Sequence, residues 1–393
     1  MSADMKCNQL IKREIVIPDC KESNPDDCNR TYFLHFPSIV CKQQQNESNV
    51  VGDNHQFSTL PLIFAIHCFG CPADAMFSFA NHADNAILVI PEGIQHSWNA
   101  RYCCGYALNN NIDDIGFIVA IQSRLSDDHD FIRPQYTYAT GWSNGGFMVM
   151  HASNLFRAIA PISGFIGELD TEMTGANSSG KGLFIHQGRD DHFVRPTGCC
   201  HDPDMPKCCC GIAADACTGV TDVAKNWAVE VNGCKDDENL FVETSYKNTE
   251  KGIECSTSSN GKANTTICLY ENSGHFNRPS FDKAFPMADE VINFFSKDAC
   301  GINDGEWHHN SKTCSCNLKY SGTFCLDEAQ HHNIGGRSSS TKPPSIRRVI
   351  VTMFSMIILV LASYVMLQKL RRRGRSRVKY GKVEEDDIEI AVM

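Results

Sequence analysis

The stretch that could do chemistry most directly is TYATGWSNGGFMVM, residues 137–150, which has Ser143 at its centre. Residues 136–140 are aromatic and β-branched, as in a short strand, and residues 147–150 are apolar, as at the start of a helix. A sharp strand-to-helix turn can present a serine hydroxyl above a sheet. Gly141 and Gly145 suit such a turn, because they have no Cβ atom that would clash with the adjacent strand and helix. The pattern predicts a serine nucleophile. An ordinary serine in a glycine-rich turn is the alternative, because G-x-S-x-G also occurs by chance.

A serine nucleophile needs a base and an acid that orients this base. GLFIHQGRDDHFV places Asp190 and Asp191 directly after an apolar run, and LYENSGHFNRP places His275 between a short strand and the final predicted helix. The chain order serine, acid, histidine is that of α/β-hydrolases. Taken singly, Asp190 could cap a helix and His275 could be a surface residue. Their joint occurrence in this order predicts a catalytic triad.

The charge that develops on a substrate oxygen needs two backbone N–H donors. One is expected from Asn144, which follows the nucleophile, and the other from the loop after the first predicted strand, where Phe69 is the favoured donor. His67 in the same loop could be a structural hydrogen-bonding residue.

Apolar runs alternate with helix-like stretches from residue 61 onward, which predicts an α/β fold with a mostly parallel sheet covered on both faces. The predicted strands are residues 61–66, 86–93, 136–141, 158–164 and 182–188. The predicted helices are residues 116–125, which Asp113 or Asp114 would cap, 221–233 and 287–296.

Seven motifs together resemble the secreted polyhydroxybutyrate depolymerase and feruloyl esterase family of α/β-hydrolases. They are IHCFG (66–70), PEGIQHSWNARYCCG (91–105), NNNIDDIGF (109–117), TGWSNGGFM (140–148), APISG (160–164), HQGRDD (186–191) and SGHFNRP (273–279). The resemblance covers residues 55–298 and implies a serine esterase acting on short polyesters or hydroxycinnamoyl esters. It implies Asp190 as the acid, because this residue matches the family's H-G-x-x-D spacing from His186. No cofactor or metal is implied. Cys68 and Gln187 stand where the family usually has glycine.

A structural element beside the site is predicted from Trp98, Asn99, Cys103 and Cys104, because paired cysteines and a large ring would fix a loop. Trp98 and Trp142 are also candidates for substrate binding, although a buried tryptophan more often packs than binds.

Two segments are rich in cysteine. The insertion at residues 196–220 carries six cysteines bunched as CC, CCC and C, a spacing that favours a disulfide-stapled loop over a zinc site. Residues 299–326 contain C-x-C-x5-G-x2-C, which resembles the C-terminal half of an epidermal growth factor-like module. That resemblance implies two disulfides, Cys300–Cys314 and Cys316–Cys325, and a small spacer module. The odd total of 21 cysteines leaves at least one thiol free or paired between chains.

Residues 349–367 are uncharged and long enough to span a bilayer as a helix, with a buried soluble helix as the alternative. A flexible stalk (327–348) precedes this segment and a basic tail (368–393) follows it, which predicts a single-pass protein with a cytosolic C-terminus. All cysteines lie at or before Cys325, as do sequons at Asn29, Asn46, Asn177 and Asn264, so the body is expected to be extracellular or lumenal.

Two further sequence features bear on membrane insertion and sorting. The N-terminal lead (1–54) has no signal-peptide core. Either the start of the chain is missing or misassigned, which is the favoured interpretation, or the C-terminal anchor itself directs insertion, which would leave the body cytosolic. Tyr380-Gly-Lys-Val383 matches a tetrapeptide read by endocytic sorting adaptors.

The net charge is −10, and the tail contributes +8 − 5 = +3, so residues 1–367 carry −13. This acidity argues against nucleic acid as a partner. The sequence therefore predicts a membrane-anchored serine carboxylesterase. The alternative is a cell-surface adhesion or receptor protein that uses a hydrolase-fold scaffold without catalysis.

Overall fold

The computed structural model describes residues 6–18, 20–22, 24–47, 58–166, 180–198, 207–208, 212–213, 218–235, 240–241, 243–248, 252–258, 260–275, 287–317 and 319–328. The predicted stalk, membrane segment and tail, with Tyr380, lie outside these residues apart from residues 327–328 of the stalk, and so does most of the cysteine-rich insertion. No helix within the described ranges has both the length and the apolar character needed to cross a membrane.

A ten-stranded sheet forms the centre of the molecule. In chain order its strands are β1 (Leu10–Val16), β2 (Asn29–His35), β3 (Leu62–Ile66), β4 (Ile87–Pro91), β5 (Thr137–Trp142), β6 (Ala158–Ile162), β7 (Gly182–Gly188), β10 (Glu243–Asn248), β11 (Ile253–Ser258) and β12 (Thr265–Tyr270). Short strands β8 (Lys207–Cys208) and β9 (Ile212–Ala213) pair with each other.

The spatial order of the sheet is β1-β2-β4-β3-β5-β6-β7-β12-β11-β10. The strands from β4 to β12 in this order are parallel, whereas β1, β2, β10 and β11 run antiparallel to their neighbours. The swapped order of β3 and β4, with a sharp strand-to-helix turn directly after β5, fits the α/β-hydrolase fold that the motifs implied. The predicted fold class and the five predicted strands are confirmed.

Helices cover both faces of the sheet. They are α1 (Ser38–Glu47), α2 (Gly105–Asn109), α3 (Asp114–Asp128), α4 (Asn144–His151), α5 (Val220–Asn226), which continues as a π-helical turn over Trp227–Val231, and α6 (Met287–Gly301). The central strands are buried along their whole length, as expected for parallel strands covered on both faces. Asp113 caps α3, since its Oδ1 accepts the Gly116 N–H at 2.7 Å.

The predicted N-terminal lead, residues 1–54, contributes two strands to the main sheet. β1 and β2 belong to the main sheet, in which β2 pairs with β4, and Tyr32 and Leu34 enter the main core. Sequence pattern does not predict this arrangement, because β1 is an edge strand with charged residues, LIKREIV, and β2 pairs with β4, which is distant along the chain.

The C-terminal segment forms two small hairpins, β13 (Glu306–His308) with β14 (Thr313–Ser315), and β15 (Tyr320–Ser321) with β16 (Asp327–Glu328). Its disulfides pair Cys300 with Cys314 and Cys316 with Cys325, as the resemblance implied. Phe324 and Leu326 join the main hydrophobic core, and the Asp327 carboxylate accepts hydrogen bonds from Thr59. The segment is therefore docked on the hydrolase domain. Its kinship with epidermal growth factor modules stays a prediction.

A buried histidine in β7 is expected to make stability depend on pH. His186 in β7 is fully buried, its Nδ1 lies 2.6 Å from the Tyr270 hydroxyl, and burial lowers its pKa to about 3. In the unfolded chain this imidazole takes up a proton near pH 6.5, whereas the folded protein resists protonation. Its contribution to stability is therefore complete above pH 6.5 and is lost as the pH falls towards 3.

We predict that replacing this pair by apolar residues, His186→Leu with Tyr270→Phe, flattens the pH dependence of stability. Between pH 6 and pH 4 the free energy of unfolding of the parent should fall more steeply, by up to about 1.4 kcal/mol per pH unit, the equivalent of one proton. Urea denaturation at a series of pH values measures both slopes. Parallel slopes for parent and double variant would show that His186 does not titrate between the two states.

Candidate active site

Ser143 lies on a strained turn between β5 and α4. Its backbone has φ 55° and ψ −116°, a conformation that a serine adopts only when its surroundings impose it. Its N–H donates to the Ile162 carbonyl at 2.8 Å, and Gly145 lies against the backbone of Ile66, where a Cβ atom would collide. Neighbouring strands thus hold this turn from both sides. The ordinary glycine-rich loop that the sequence left open is excluded.

His275 lies within hydrogen-bond distance of the Ser143 hydroxyl. The histidine follows β12, and its Nε2 lies 2.8 Å from Ser143 Oγ. Both side chains are buried, with 4% of each residue exposed. This is the geometry in which an imidazole can take the proton of an attacking hydroxyl.

Asp191 is the acid that contacts the histidine. Its Oδ2 lies 2.8 Å from His275 Nδ1 and also accepts from Gln187 Nε2 at 3.2 Å. Its Oδ1 accepts the backbone N–H groups of Phe193 and Val194 at 2.9 and 2.8 Å. Donors therefore fix both oxygens and orient the carboxylate towards the ring. Gln187, which stands where the resembled family has glycine, is one of these donors.

The prediction of Asp190 as the acid is therefore wrong by one residue, because Asp191 is the aspartate that contacts His275. Asp190 is exposed, and its backbone N–H donates to the Ser273 carbonyl at 3.0 Å. After β7 ends at Gly188 the chain turns through Arg189 and Asp190, which project outward, and only the next residue points back to His275. Counting residues from His186 cannot resolve the phase of such a turn.

The two predicted oxyanion donors, Asn144 and Phe69, lie in differently held parts of the chain. Asn144 is the first residue of α4, and Ser143 before it makes no side-chain cap. The Asn144 side chain accepts from Trp98 N and donates to the Trp98 and Cys103 carbonyls at 2.8–3.1 Å. Asn144 is therefore locked to the loop at residues 98–103. Phe69 lies in a tight turn after β3, and no acceptor for its N–H is found in the described part of the chain.

Trp98 has a structural role. Its side chain is fully buried, and its Nε1 donates to the His67 carbonyl at 3.0 Å. The buried ring has no exposed surface for a substrate, and its contacts fit the predicted structural element. Cys103 and Cys104 of the same element form a disulfide.

The aromatic residues that border the catalytic histidine are Trp142 and Phe193. Their ring centroids lie 6.2 and 5.4 Å from that of His275. Trp142 was predicted as a substrate-binding candidate, whereas Phe193 was missed. Its position two residues after Asp191 would have been a signal for Phe193 had the acid been assigned correctly. Phe193 is 53% exposed, which is unusual for so large an apolar residue.

His67 is a structural residue that fixes the Phe69 loop. Its Nε2 accepts the Gly93 N–H at 2.9 Å, so the proton is on Nδ1, which donates to the Cys68 carbonyl at 2.8 Å. Burial lowers the pKa of His67, which keeps the ring neutral in this role.

A buried ion pair anchors the loop that holds Asn144. Arg30 Nη2 donates to Asp114 Oδ1 at 2.7 Å, and Asp114 Oδ2 accepts the Asn99 N–H at 2.7 Å. The Arg30 guanidinium also stacks over the Phe117 ring at 4.1 Å. The sequence pattern indicates Asp114 only as a possible helix cap, because its partner Arg30 in β2 lies 84 residues away along the chain.

No family model and no curated protein matches this chain. Among solved structures, a thermostable esterase is 15% identical with a TM-score of 0.40 over 72% of this chain and 60% of its own length. A putative dienelactone hydrolase from Klebsiella pneumoniae is 12% identical with a TM-score of 0.40, over 74% of this chain and 99% of the other. A ferulic acid esterase is 14% identical with a TM-score of 0.33, over 47% and 80%.

The chain thus spans 60% of the length of the thermostable esterase. At these identities and TM-scores the similarity adds nothing on activity. The fold follows from the strand order and the turn at Ser143.

We predict that Asp114→Leu destabilises the protein by about 3–5 kcal/mol, because it leaves the buried Arg30 charge unpaired. Adding Arg30→Met should restore most of the loss, since both charges are then absent. Urea denaturation of the parent, Asp114→Leu and the double variant measures the difference. A double variant no more stable than Asp114→Leu would contradict this account of the pair.

The neighbouring aspartates offer a matched test of the triad. Asp191→Asn should slow covalent labelling of Ser143 by a fluorophosphonate on the order of 10³- to 10⁴-fold, because the imidazole loses its orienting carboxylate. Asp190→Asn should label at the parent rate. Mass spectrometry of the Ser143 peptide over time gives both rates. Slow labelling of the Asp190 variant alone would restore the assignment made from spacing.

Proposed function

We propose that this protein is a serine hydrolase that cleaves carboxylic esters. The observation that carries the proposal is the continuous hydrogen-bonded chain from Ser143 through His275 to Asp191, with Ser143 on its strained turn. Such a chain activates a hydroxyl that is otherwise a poor nucleophile at neutral pH.

The geometry supports a two-stage reaction. Ser143 Oγ attacks the ester carbonyl while His275 Nε2 takes its proton, and the N–H groups of Phe69 and Asn144 receive the oxyanion. The intermediate collapses, and His275 returns the proton to the departing alkoxide, which leaves as the alcohol. A water molecule then repeats the sequence on the acyl-enzyme, which releases the acid and restores Ser143. Asp191 holds the imidazole tautomer throughout.

Two observations support a proposal on the substrate class, namely the sequence resemblance and the aromatic rim of the site. The motifs around residues 91–105 and 140–148 resemble those of polyhydroxybutyrate depolymerases and feruloyl esterases. Trp142 and Phe193 border His275 with aromatic surface on which a planar acyl group could pack. We therefore propose a hydroxycinnamoyl or short polyester substrate.

We further propose that the enzyme is a single-pass membrane protein with its catalytic domain outside the cytosol. The sequence of residues 349–367 and the basic tail support an anchor. Seven disulfides within the described residues support an oxidising compartment. Residues 299–326 serve as a partial epidermal growth factor-like module before the stalk, and Tyr380 serves as a contact for a sorting adaptor.

Hydrolysis assays of the full chain from a eukaryotic host, beside its Ser143→Ala variant, test the proposed activity. We expect turnover of p-nitrophenyl acetate, p-nitrophenyl butyrate and methyl ferulate by the parent, and a loss of kcat on the order of 10⁶-fold in the variant. The ratio among the three esters reports the acyl preference. If the parent and the Ser143→Ala variant are both folded and neither hydrolyses any of the three esters, the non-catalytic adhesion or receptor scaffold is favoured.

A further inference from the structure

The Phe69 turn is closed in an unusual way for so short a loop. Cys71 N donates to the Cys68 carbonyl at 3.2 Å, and Gly70 between them has φ +72°, as in a type II turn. A disulfide joins the same two cysteines, which are three residues apart. The turn that carries Phe69 is therefore closed twice, by a hydrogen bond and by a covalent bond.

The other restraints on this turn are single contacts, among them the hydrogen bond from His67 Nδ1 to the Cys68 carbonyl. Cys68 is buried, but Phe69 is 52% exposed and Gly70 is also exposed. The Gly70 N–H donates to the His96 carbonyl at 2.8 Å, and the Phe69 ring rests on Gly105, where a Cβ atom would collide with it. An exposed turn that contains glycine has many accessible conformations. An oxyanion donor, in contrast, must be held close to the position that the charged oxygen will occupy.

We propose that the Cys68–Cys71 disulfide is a positioning element that holds the Phe69 N–H in the oxyanion hole. This inference rests on the proposed function, because it assigns the disulfide a role in stabilising the tetrahedral intermediate. The disulfide closes a four-residue turn covalently. Its removal should let the Phe69 N–H change direction while the triad stays in place. The expected signature is a lower kcat at nearly constant KM, since the oxyanion forms only after the substrate is bound.

The test compares two disulfide-free variants of the full chain on p-nitrophenyl butyrate. Cys68→Ala with Cys71→Ala should lower kcat by about 10- to 100-fold, with KM changed less than about threefold. The control is Cys7→Ala with Cys41→Ala, whose disulfide lies beside Phe36 at the end of β2 opposite to the active-site edge. The control should keep the parent kcat. Rates are expressed per Ser143 that reacts with fluorophosphonate, so that unfolded molecules do not count.

A double-mutant cycle separates positioning of the N–H from a general effect on structure. Phe69→Pro deletes the N–H at the turn position that favours proline, and Phe69→Ala retains it. The proline variant should have a kcat about 10²- to 10³-fold below that of the alanine variant. Loss of the disulfide should lower kcat in the Phe69→Ala background and have no further effect in the Phe69→Pro background.

The outcomes distinguish failure of the positioning role from failure of the proposed esterase function. An unchanged kcat in the Cys68/Cys71 variant, or an equal fall in both Phe69 backgrounds, overturns the positioning role while the esterase stands. A parent that hydrolyses no ester overturns the proposed function itself. Should the alanine pair fail to fold, the pair Cys68→Ser with Cys71→Ser is assayed in its place, and the cycle is completed with it.

Discussion

The close approach of three backbone segments around Ser143 is the constraint on which the rest of the site depends. The Ser143 turn fits between β3 and β6 only because glycines stand where side chains would collide. Gly145 meets the Ile66 and His67 carbonyls, and Gly164 meets the carbonyl of Ser143 itself. This packing fixes a backbone conformation that serine rarely adopts and aims its hydroxyl at His275. The sheet supplies the rigidity, since its central strands are buried on both faces.

A second layer of contacts transmits this rigidity to the loops above the sheet. Asn144 is tied through its side chain to the loop at residues 98–103, and that loop is tied through Asn99 to the buried pair of Asp114 and Arg30. Burial raises the pKa of Asp114, and the adjacent guanidinium opposes that effect. The chain of contacts thus runs from the candidate oxyanion donor to β2, a strand from the N-terminal region.

Short-range disulfides close two loops of different burial. The Phe69 turn has a disulfide between Cys68 and Cys71, and Phe69 and Gly70 inside it are exposed, so packing alone offers this turn little restraint. The loop at residues 98–104 has the Cys103–Cys104 disulfide in addition to packing, because Trp98, Cys103 and Cys104 belong to the main core. The C-terminal hairpins also combine disulfides with packing. They contain two disulfides, and their Phe324 and Leu326 reach the main core.

The sequence by itself determined the fold class, the five central strands and the pairing of Ser143 with His275. These features depend on local pattern, namely apolar runs, glycine spacing and chain order, which are visible in one dimension. Tertiary structure alone decided that Asp191 and not Asp190 faces the histidine, because one residue of turn phase reverses the direction of a side chain. It also decided that β1 and β2 complete the sheet, that Trp98 is buried and that Arg30 meets Asp114, because these contacts join residues far apart in sequence. Local pattern carries no information about which distant strand or loop a buried side chain will find.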